Sequence, residues 1–169
     1  MNNLLTANLA QMVRDEIQND RVDPYAGTCF EGWIKMHQLN RGLIGEKLVR
    51  VLLEAADHEV TKPDHTRFDF IVGGTKVEVK TCIKINGKWT INHIRKSGEW
   101  QRLVVLLIDE DASLKFFWMD HAAVVEAIDA GYFSRQSGGV SGGNDDWKCG
   151  KVAKLSNLPS AHQLEQWNV

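Results

Sequence analysis

Residues 67–81 read Arg-Phe-Asp-Phe-Ile-Val-Gly-Gly-Thr-Lys-Val-Glu-Val-Lys-Thr, a pattern typical of a β-hairpin. Two runs rich in β-branched and aromatic residues flank Gly73-Gly74. Such a pair favours a two-residue hairpin turn, because glycine accepts the positive φ angles that these turns require. A turn at this pair places Val72 opposite Thr75, and the same register sets Asp69 directly opposite Glu78.

Strand alternation divides the side chains of this hairpin between two faces. One face is apolar and is predicted to cover a core; it carries Phe68, Phe70, Val72, Val77 and Val79. The opposite face carries Arg67, Asp69, Ile71, Lys76, Glu78 and Lys80.

Two carboxylates opposite each other destabilise a sheet unless positive charge lies between them. Lys80, on the same face as Glu78, and a divalent cation are the candidates. Mg²⁺ suits the pattern because one or two carboxylates typically hold it, with waters and phosphate oxygens completing its shell. Such an ion would activate a bound water, and Lys80 would position that water or stabilise developing negative charge. The pattern predicts a phosphodiester-cleaving site; the alternative is a solvated strand face.

At these residues the chain resembles the PD-(D/E)XK nuclease superfamily, in which Asp69, Glu78 and Lys80 match the acidic–acidic–lysine signature. The resemblance implies an α/β fold with a restriction-endonuclease-like core: a central mixed β-sheet flanked by helices, here with an added N-terminal helix. It also implies DNA cleavage that depends on Mg²⁺, for which Mn²⁺ is expected to substitute. The group it looks most like comprises small type II restriction enzymes and phage or intron-encoded endonucleases.

The resemblance extends to further residues of the site. It implies that Asp69, Glu78 and Val79 bind the metal. Glu46, near the start of a predicted helix, matches a glutamate that in many relatives helps hold a metal-bound water; the alternative is a favourable interaction with the helix dipole. Pro63-Asp64 also spells the family's first motif, but Asp64 lies in a turn-prone segment, so Asp69 is the preferred first acid.

Positive charge clusters around this stretch. Between Lys76 and Lys96 the chain has six lysines and arginines and one acidic residue, Glu78.

A Gly-rich segment at 132–146 is a second candidate for DNA contact, because it contains Arg135 and Gln136, and arginine and glutamine pair well with guanine and adenine edges. His93 stands where the resembled group often has glutamine, and it could also accept a proton. For the basic stretch the alternative is a solvated sheet face, and for the Gly-rich segment it is a surface loop. The predicted DNA-binding residues are Lys76, Lys84, Lys88, His93, Arg95, Lys96, Arg135 and Gln136.

The remaining elements follow from apolar periodicity and turn signals. The main helix is predicted at 43–57, after a break at Asn40-Arg41-Gly42, with its core face formed by Ile44, Leu48, Val51, Leu52 and Ala55. The other predicted helices span 3–18, 31–39, 121–130 (after Asp120 as N-cap) and 159–167. The other predicted strands span 59–62, 88–94, 101–109, 114–119 and 147–155. The strand at 101–109 is fully apolar in its middle, so we expect it to be buried and central in the sheet.

Length and composition indicate one domain of an ordinary globular protein: 169 residues, 43% hydrophobic and 25% charged. We divide it into an N-terminal helix and loop (1–30), a catalytic core (42–130) and a C-terminal extension with the Gly-rich loop (131–169). No apolar run is long enough for a membrane span, and no signal peptide is indicated. Three cysteines without zinc-site spacing favour a reducing cytoplasm. The Gly-rich segment lacks the Gly-Lys-Ser/Thr of a phosphate-binding loop, so no nucleotide cofactor is expected.

The sequence therefore predicts a Mg²⁺-dependent endonuclease acting on double-stranded DNA. A homodimer is expected, because a two-fold pair of sites would cut both strands of a palindrome. A Holliday-junction or repair nuclease is the alternative within the same chemistry. A module on a nuclease fold that binds DNA or protein without cutting is the alternative from another class.

Overall fold

The computed structural model describes residues 23–65, 67–136, 145–163 and 166–167. Its helices are α1 (Gln38–Ala55), α2 (His121–Asp129) and α3 (Val152–Leu155), with a short 3₁₀ helix at Trp33–Lys35. Its strands are β1 (Val60–Thr61), β2 (Phe70–Val72), β3 (Thr75–Ile83), β4 (Ile91–Arg95), β5 (Arg102–Ile108), β6 (Leu114–Asp120), β7 (Ser134–Arg135) and β8 (Asp146–Cys149).

Five of these strands form a mixed sheet in the order β1-β2-β3-β5-β6. Strands β3 and β5 are parallel, and the other neighbours are antiparallel. A smaller sheet has the order β4-β8-β7. Helices flank the large sheet, so the predicted α/β class with a central mixed sheet is confirmed. The predicted strand at 88–94 is confirmed as β4, but it pairs with β8 and not with the large sheet.

The hairpin of β2 and β3 has the predicted register: Phe70 pairs with Val77, Ile71 with Lys76 and Val72 with Thr75. Gly73 and Gly74 both have positive φ, as the turn requires. The ladder ends at Phe70, however. The Asp69 amide donates to the carbonyl of Val77 at 2.9 Å, so Asp69 lies just outside the paired residues and not in the predicted pair with Glu78.

Strand β5 shows how the two faces of the large sheet are buried. Its residues from Leu103 to Ile108 are all buried and alternate between two apolar clusters. The first cluster lies under α2, α3 and the small sheet, and the second lies under α1 and the segment that contains Tyr25 and Trp33. The prediction of a buried interior strand is confirmed, although β3 is the middle strand.

Strand β3 also separates these clusters. Val77 and Val79 are in the second cluster with Phe70 and Val72, as predicted. Phe68 is buried but belongs to the first cluster, so its predicted face is wrong. The reason is that strand alternation applies only to paired residues, and the pairing of β2 with β3 begins at Phe70, so Phe68 and Asp69 lie outside it.

Helix α1 departs most from the sequence prediction. It begins at Gln38 and continues through Asn40-Arg41-Gly42, where a break is predicted. A single glycine costs a helix only about 0.5–1 kcal/mol relative to alanine, so neighbouring contacts can override it. The buried residues of the helix are Gly45, Val49 and Leu53, whereas Val51 is 61% exposed. The predicted core face is therefore rotated, because apolar periodicity gives no weight to Gly45.

Gly45 belongs to the core because the helix approaches β3 closely there. A Cβ atom at this position would lie 1.7 Å from Thr81 Oγ1. Only a residue without a side chain allows this separation between helix and sheet. The contact fixes α1 against the middle strand.

The C-terminal predictions are confirmed only in part. Strand β6 and helix α2 lie where predicted. The predicted strand at 147–155 is instead the short strand β8 followed by α3. Residues 164 and 165 of the predicted helix at 159–167 lie outside the described residues; within the described part of that range, His162 forms an isolated antiparallel bridge with Trp118. Residues 137–144 of the Gly-rich segment lie outside the described residues.

At the N-terminal end, the helix predicted at 31–39 is only the 3₁₀ turn at Trp33–Lys35. The helix predicted at 3–18 lies outside the described residues.

No helix in the described part of the chain combines the length and the apolarity that crossing a bilayer needs. All three cysteines are free: Cys29 is exposed, and Cys82 and Cys149 are buried. Burial raises the pKa of the Cys82 thiol to about 12.

Replacing Gly45 by alanine is expected to destabilise the protein by about 1–3 kcal/mol or more, because the new methyl group overlaps the Thr81 side chain. Gly42→Ala in the same helix is the matched control: its Cβ would meet nothing within 4 Å, so a gain of about 0.5–1 kcal/mol is expected. Urea denaturation of both variants measures the difference. Equal stability of the two variants would contradict the close contact.

Candidate active site

A cavity of about 390 Å³ brings together the three residues of the predicted signature, Asp69, Glu78 and Lys80. His93 and Arg95 of β4 also line it. The other lining residues were not predicted as site residues: Arg67, Ser97, Gly98, Glu99, Trp100 and Asp146. Strand β3 and the segment just before β2, together with β4 and β8 of the small sheet, thus contribute side chains to one space.

Glu78 and Lys80 lie on the same face of β3 because they are two residues apart in a strand. Lys80 Nζ donates to Glu78 Oε1 at 2.6 Å. The side chains are only 22% and 17% exposed for Lys80 and Glu78, respectively. The pair is therefore partly shielded from water, which strengthens its electrostatic interaction.

Asp69 is positioned by the backbone of β3. Its Oδ2 accepts a hydrogen bond from the Val79 amide at 2.7 Å, and its own amide donates to Val77 at 2.9 Å. Because Val79 lies between Glu78 and Lys80 in the chain, this contact fixes the Asp69 carboxylate beside the ion pair. Asp64, the alternative first acid, is exposed and does not line the cavity.

Burial raises the pKa of the Asp69 and Glu78 carboxyl groups. For Asp69, the Val79 amide and the charge of Lys80 oppose this effect. For Glu78, Lys80 opposes it, and the neighbouring charge of Asp69 adds to it. Raised values mean that the surroundings do not fully compensate two negative charges in this space.

This donor set fits a divalent cation that prefers oxygen ligands. Two carboxylates with uncompensated charge are what Mg²⁺ typically uses, with waters or substrate oxygens as its remaining ligands. Among the described residues, no three His, Cys, Asp or Glu side chains come together as a metal-binding group. Val79 contacts the site through its amide, which holds Asp69; its role as a metal ligand stays a prediction.

Glu46 lies close to the site without lining it. Its position in α1 follows Gly45, the residue that contacts β3. Burial raises the pKa of Glu46, and the charge of Asp69 raises it further, whereas Lys62 lowers it. Glu46 is thus within electrostatic reach of the carboxylates, and its predicted catalytic role stays a prediction.

The predicted DNA-binding residues are spread over several surfaces, and only His93 and Arg95 line the cavity. Lys84 Nζ pairs with Asp109 at 2.9 Å, and Lys96 Nζ pairs with Asp129 at 2.6 Å. Two of the others lie against aromatic rings: Lys76 Nζ is 5.6 Å from the centre of the Phe68 ring, and the Arg135 guanidinium is 5.0 Å from the centre of the Trp147 ring. Gln136 contacts His93. Lys88 is exposed beside the Asn86-Gly87 turn.

His93 has an unusual backbone conformation for a residue with a side chain. Its φ of 56° lies in the left-handed region, at a β-bulge where Asn92 and His93 lie opposite Lys148. Such strain costs about 1–3 kcal/mol and occurs often at functional sites. The His93 side chain is 61% exposed.

Two side chains hold His93 in place. Its amide donates to Gln136 Oε1 at 3.0 Å, and its Nε2 lies 3.2 Å from Gln136 Nε2. Its Nδ1 lies 2.9 Å from Asp146 Oδ2. The neighbouring Asp145 carboxylate accepts hydrogen bonds from the amides of Lys96 and Ser97, which fixes the turn after β4.

Sequence reasoning missed Asp146. The sequence signal was weak: an acidic pair at the end of the Gly-rich segment. The contact of Asp146 with His93 depends on the pairing of β8 with β4. That pairing joins residues about fifty positions apart, which no local pattern indicates.

A larger cavity, of about 880 Å³, lies elsewhere and is lined by residues that include Ile34, His37, Arg41 and Glu110. It lacks a pair of carboxylates, and none of the signature residues line it. Convergent charged groups with shifted pKa values mark the smaller cavity as the candidate active site.

No protein-family model matches the chain, and no curated protein matches it significantly. The function of the chain must therefore be inferred from the site itself.

Replacing Asp69 by asparagine is expected to stabilise the metal-free protein at pH 7. The unfolded carboxyl ionises near pH 4, and burial raises the pKa of the folded one. The contribution of Asp69 to the free energy of unfolding is therefore fully present below about pH 4 and is lost as the pH rises through the pKa of Asp69 in the folded protein. The gain of the variant should be present at pH 7 and vanish near pH 4.

Thermal denaturation in EDTA between pH 4 and 8 measures this difference; in a chain of this size, 1 kcal/mol shifts the midpoint by about 2–4 °C. Mg²⁺ should raise the midpoint of the wild type more than that of the variant. Asp64→Asn, at an exposed carboxyl outside the cavity, is the control and should leave both effects unchanged. An Asp69→Asn variant less stable than the wild type at pH 7 would refute the electrostatic argument.

Proposed function

We propose that this chain is a Mg²⁺-dependent DNA endonuclease that hydrolyses phosphodiester bonds. The observation that supports the proposal is the convergence of Asp69, Glu78 and Lys80 in one partly buried cavity. The raised pKa values of the two carboxyl groups support it further, because a bound cation would supply the missing positive charge.

The three signature residues of the cavity would have different roles in the reaction. Asp69 and Glu78 would hold the cation, and Mn²⁺, which shares a preference for oxygen ligands, is expected to replace it. When bound, the metal would neutralise charge on a phosphate and lower the pKa of a water. Lys80 has three donors and one is used by Glu78, so it can also donate to a phosphate oxygen.

Double-stranded DNA is the proposed substrate because cationic side chains surround these acids. Arg95 lines the cavity, and its charge lowers the pKa of Glu78, so it lies within electrostatic reach of the catalytic residues. The net charge of −2 makes strong non-specific binding unfavourable. We therefore infer a sequence-specific enzyme of the restriction or homing type, acting as a homodimer in the cytoplasm.

Glu78→Ala and Lys80→Ala should each abolish cleavage of plasmid DNA in Mg²⁺ while leaving DNA binding measurable. The first change removes a metal ligand and the second removes a donor to the phosphate. Cleavage is followed on gels, and binding by fluorescence anisotropy in Ca²⁺. A mixture of plasmid and phage DNA serves as substrate, because the recognition sequence must first be found.

Glu126→Gln and Lys154→Ala, on exposed faces of α2 and α3, are matched controls and should cut like the wild type. Full activity in Glu78→Ala or Lys80→Ala would remove the proposed mechanism. Binding without cleavage by the wild type would favour the alternative of a non-catalytic module.

Arg95→Gln should weaken DNA binding and reduce its salt dependence, because one phosphate contact is lost. The slope of log K against log salt should fall by about 0.9 for each contact removed. Titrations at several salt concentrations in Ca²⁺ measure it, with Lys154→Gln as the control. An unchanged slope would show that Arg95 does not bind phosphate.

A further inference from the structure

Hydrolysis of a phosphodiester requires a group that accepts a proton from the attacking water. Lys80 is poorly suited, because its ammonium group donates to Glu78 and has no lone pair. Asp69 accepts the Val79 amide, and Asp69 and Glu78 are the proposed metal ligands. Of the other two carboxylates that line the cavity, Glu99 pairs with Arg67 and Asp146 contacts His93. Among the described residues that line the cavity, His93 is the only imidazole.

The contacts of His93 define which ring nitrogen carries the proton. The Asp146 carboxylate can only accept, so Nδ1 is the donor in that contact. Gln136 Oε1 accepts the His93 amide, which turns the Gln136 NH₂ group towards Nε2. Nε2 then accepts through its lone pair. The opposite tautomer would place two donors against each other at Nε2 and a lone pair against a carboxylate at Nδ1.

Two energetically unfavourable features occur at the contact between His93 and Asp146. His93 has a left-handed backbone, and Asp146 Oδ1 is buried without a hydrogen-bond partner among the described residues. A carboxylate in this state is stabilised when its neighbour gains positive charge. His93 becomes such a neighbour when Nε2 takes up a proton, because Nδ1 still donates to Asp146.

We propose that His93 is the proton acceptor of this active site and that Asp146 positions it. The inference rests on the proposed nuclease function. In the step, the O–H bond of water breaks, its proton moves to His93 Nε2 in place of the Gln136 contact, and the oxygen forms a bond to phosphorus. The bond from phosphorus to the leaving oxygen breaks, and that oxygen takes a proton from solvent. His93 then returns its own proton to solvent.

His93→Gly tests the acceptor role with little risk to the fold, because glycine suits the φ of 56°. Cleavage should fall about 10²-fold or more, the usual contribution of a positioned base. Added imidazole should restore part of the rate, since the exposed side chain leaves an accessible space. Asn86→Gly is the matched control: Asn86 also has a positive φ, of 51°, but lies outside the cavity, so its rate should be unchanged with and without imidazole.

Asp146→Asn tests the positioning role in the metal-free protein. Long-range ¹⁵N–¹H spectra should show the Nδ1–H tautomer of His93 in the wild type and a shift towards Nε2–H in the variant, because the asparagine amide can donate to Nδ1. Cleavage by this variant should fall about 10-fold or more, whereas DNA affinity in Ca²⁺ should stay within twofold of the wild type.

The outcomes separate the two proposals. Absence of Mg²⁺-dependent cleavage in the wild type overturns the nuclease function. Cleavage by the wild type together with full activity in His93→Gly, or with a loss that imidazole does not restore, overturns the role of His93 alone. An Nε2–H tautomer in the wild type, or no change of tautomer in Asp146→Asn, overturns the role of Asp146.

Discussion

The pairing of strand β3 on both of its edges determines the position of the core and of the candidate site. Its backbone pairs with β2 on one side and β5 on the other, so its side chains must divide between two faces. On one face, Val77 and Val79 enter the apolar cluster under α1. On the other, Glu78 and Lys80 point towards the cavity at the small sheet. The same hydrogen bonds that build the core therefore position the charged groups.

The site combines burial with charge, and this combination has an energetic cost. Burial raises the pKa of Asp69 and Glu78, and Lys80 compensates them only in part. The bulge at His93 adds backbone strain, and Asp146 adds a buried oxygen without a partner among the described residues. The apolar residues of β5, buried on both faces, provide the stability that holds these features in place.

Local chemistry made much of the fold predictable. The Gly73-Gly74 turn fixed the register of the hairpin, and the apolar run of β5 identified an interior strand. The sequence did not reveal the core face of α1, because the decisive residue, Gly45, acts through the absence of a side chain. Phe68 was placed on the wrong face because the ladder stops earlier than alternation suggests.

The candidate site was predictable in the same uneven way. Asp69, Glu78 and Lys80 come from one hairpin, so a short stretch was enough to bring them together. Asp146 reaches His93 only through pairing between distant strands, which depends on the whole fold. The backbone strain at His93 also arises from the pairing of β4 with β8, so no local sequence pattern predicts it.

The three cysteines give the folded chain a chemical asymmetry. Cys29 is exposed, whereas Cys82 lies in the core on the strand that carries the signature residues, with a thiol pKa of about 12. Thiolates, and not thiols, react with alkylating reagents. A maleimide should therefore label Cys29 at once and reach Cys82 only when the large sheet opens. The rate of modification at Cys82, followed separately from that at the buried Cys149, therefore measures how often the strand on which the site is built becomes exposed.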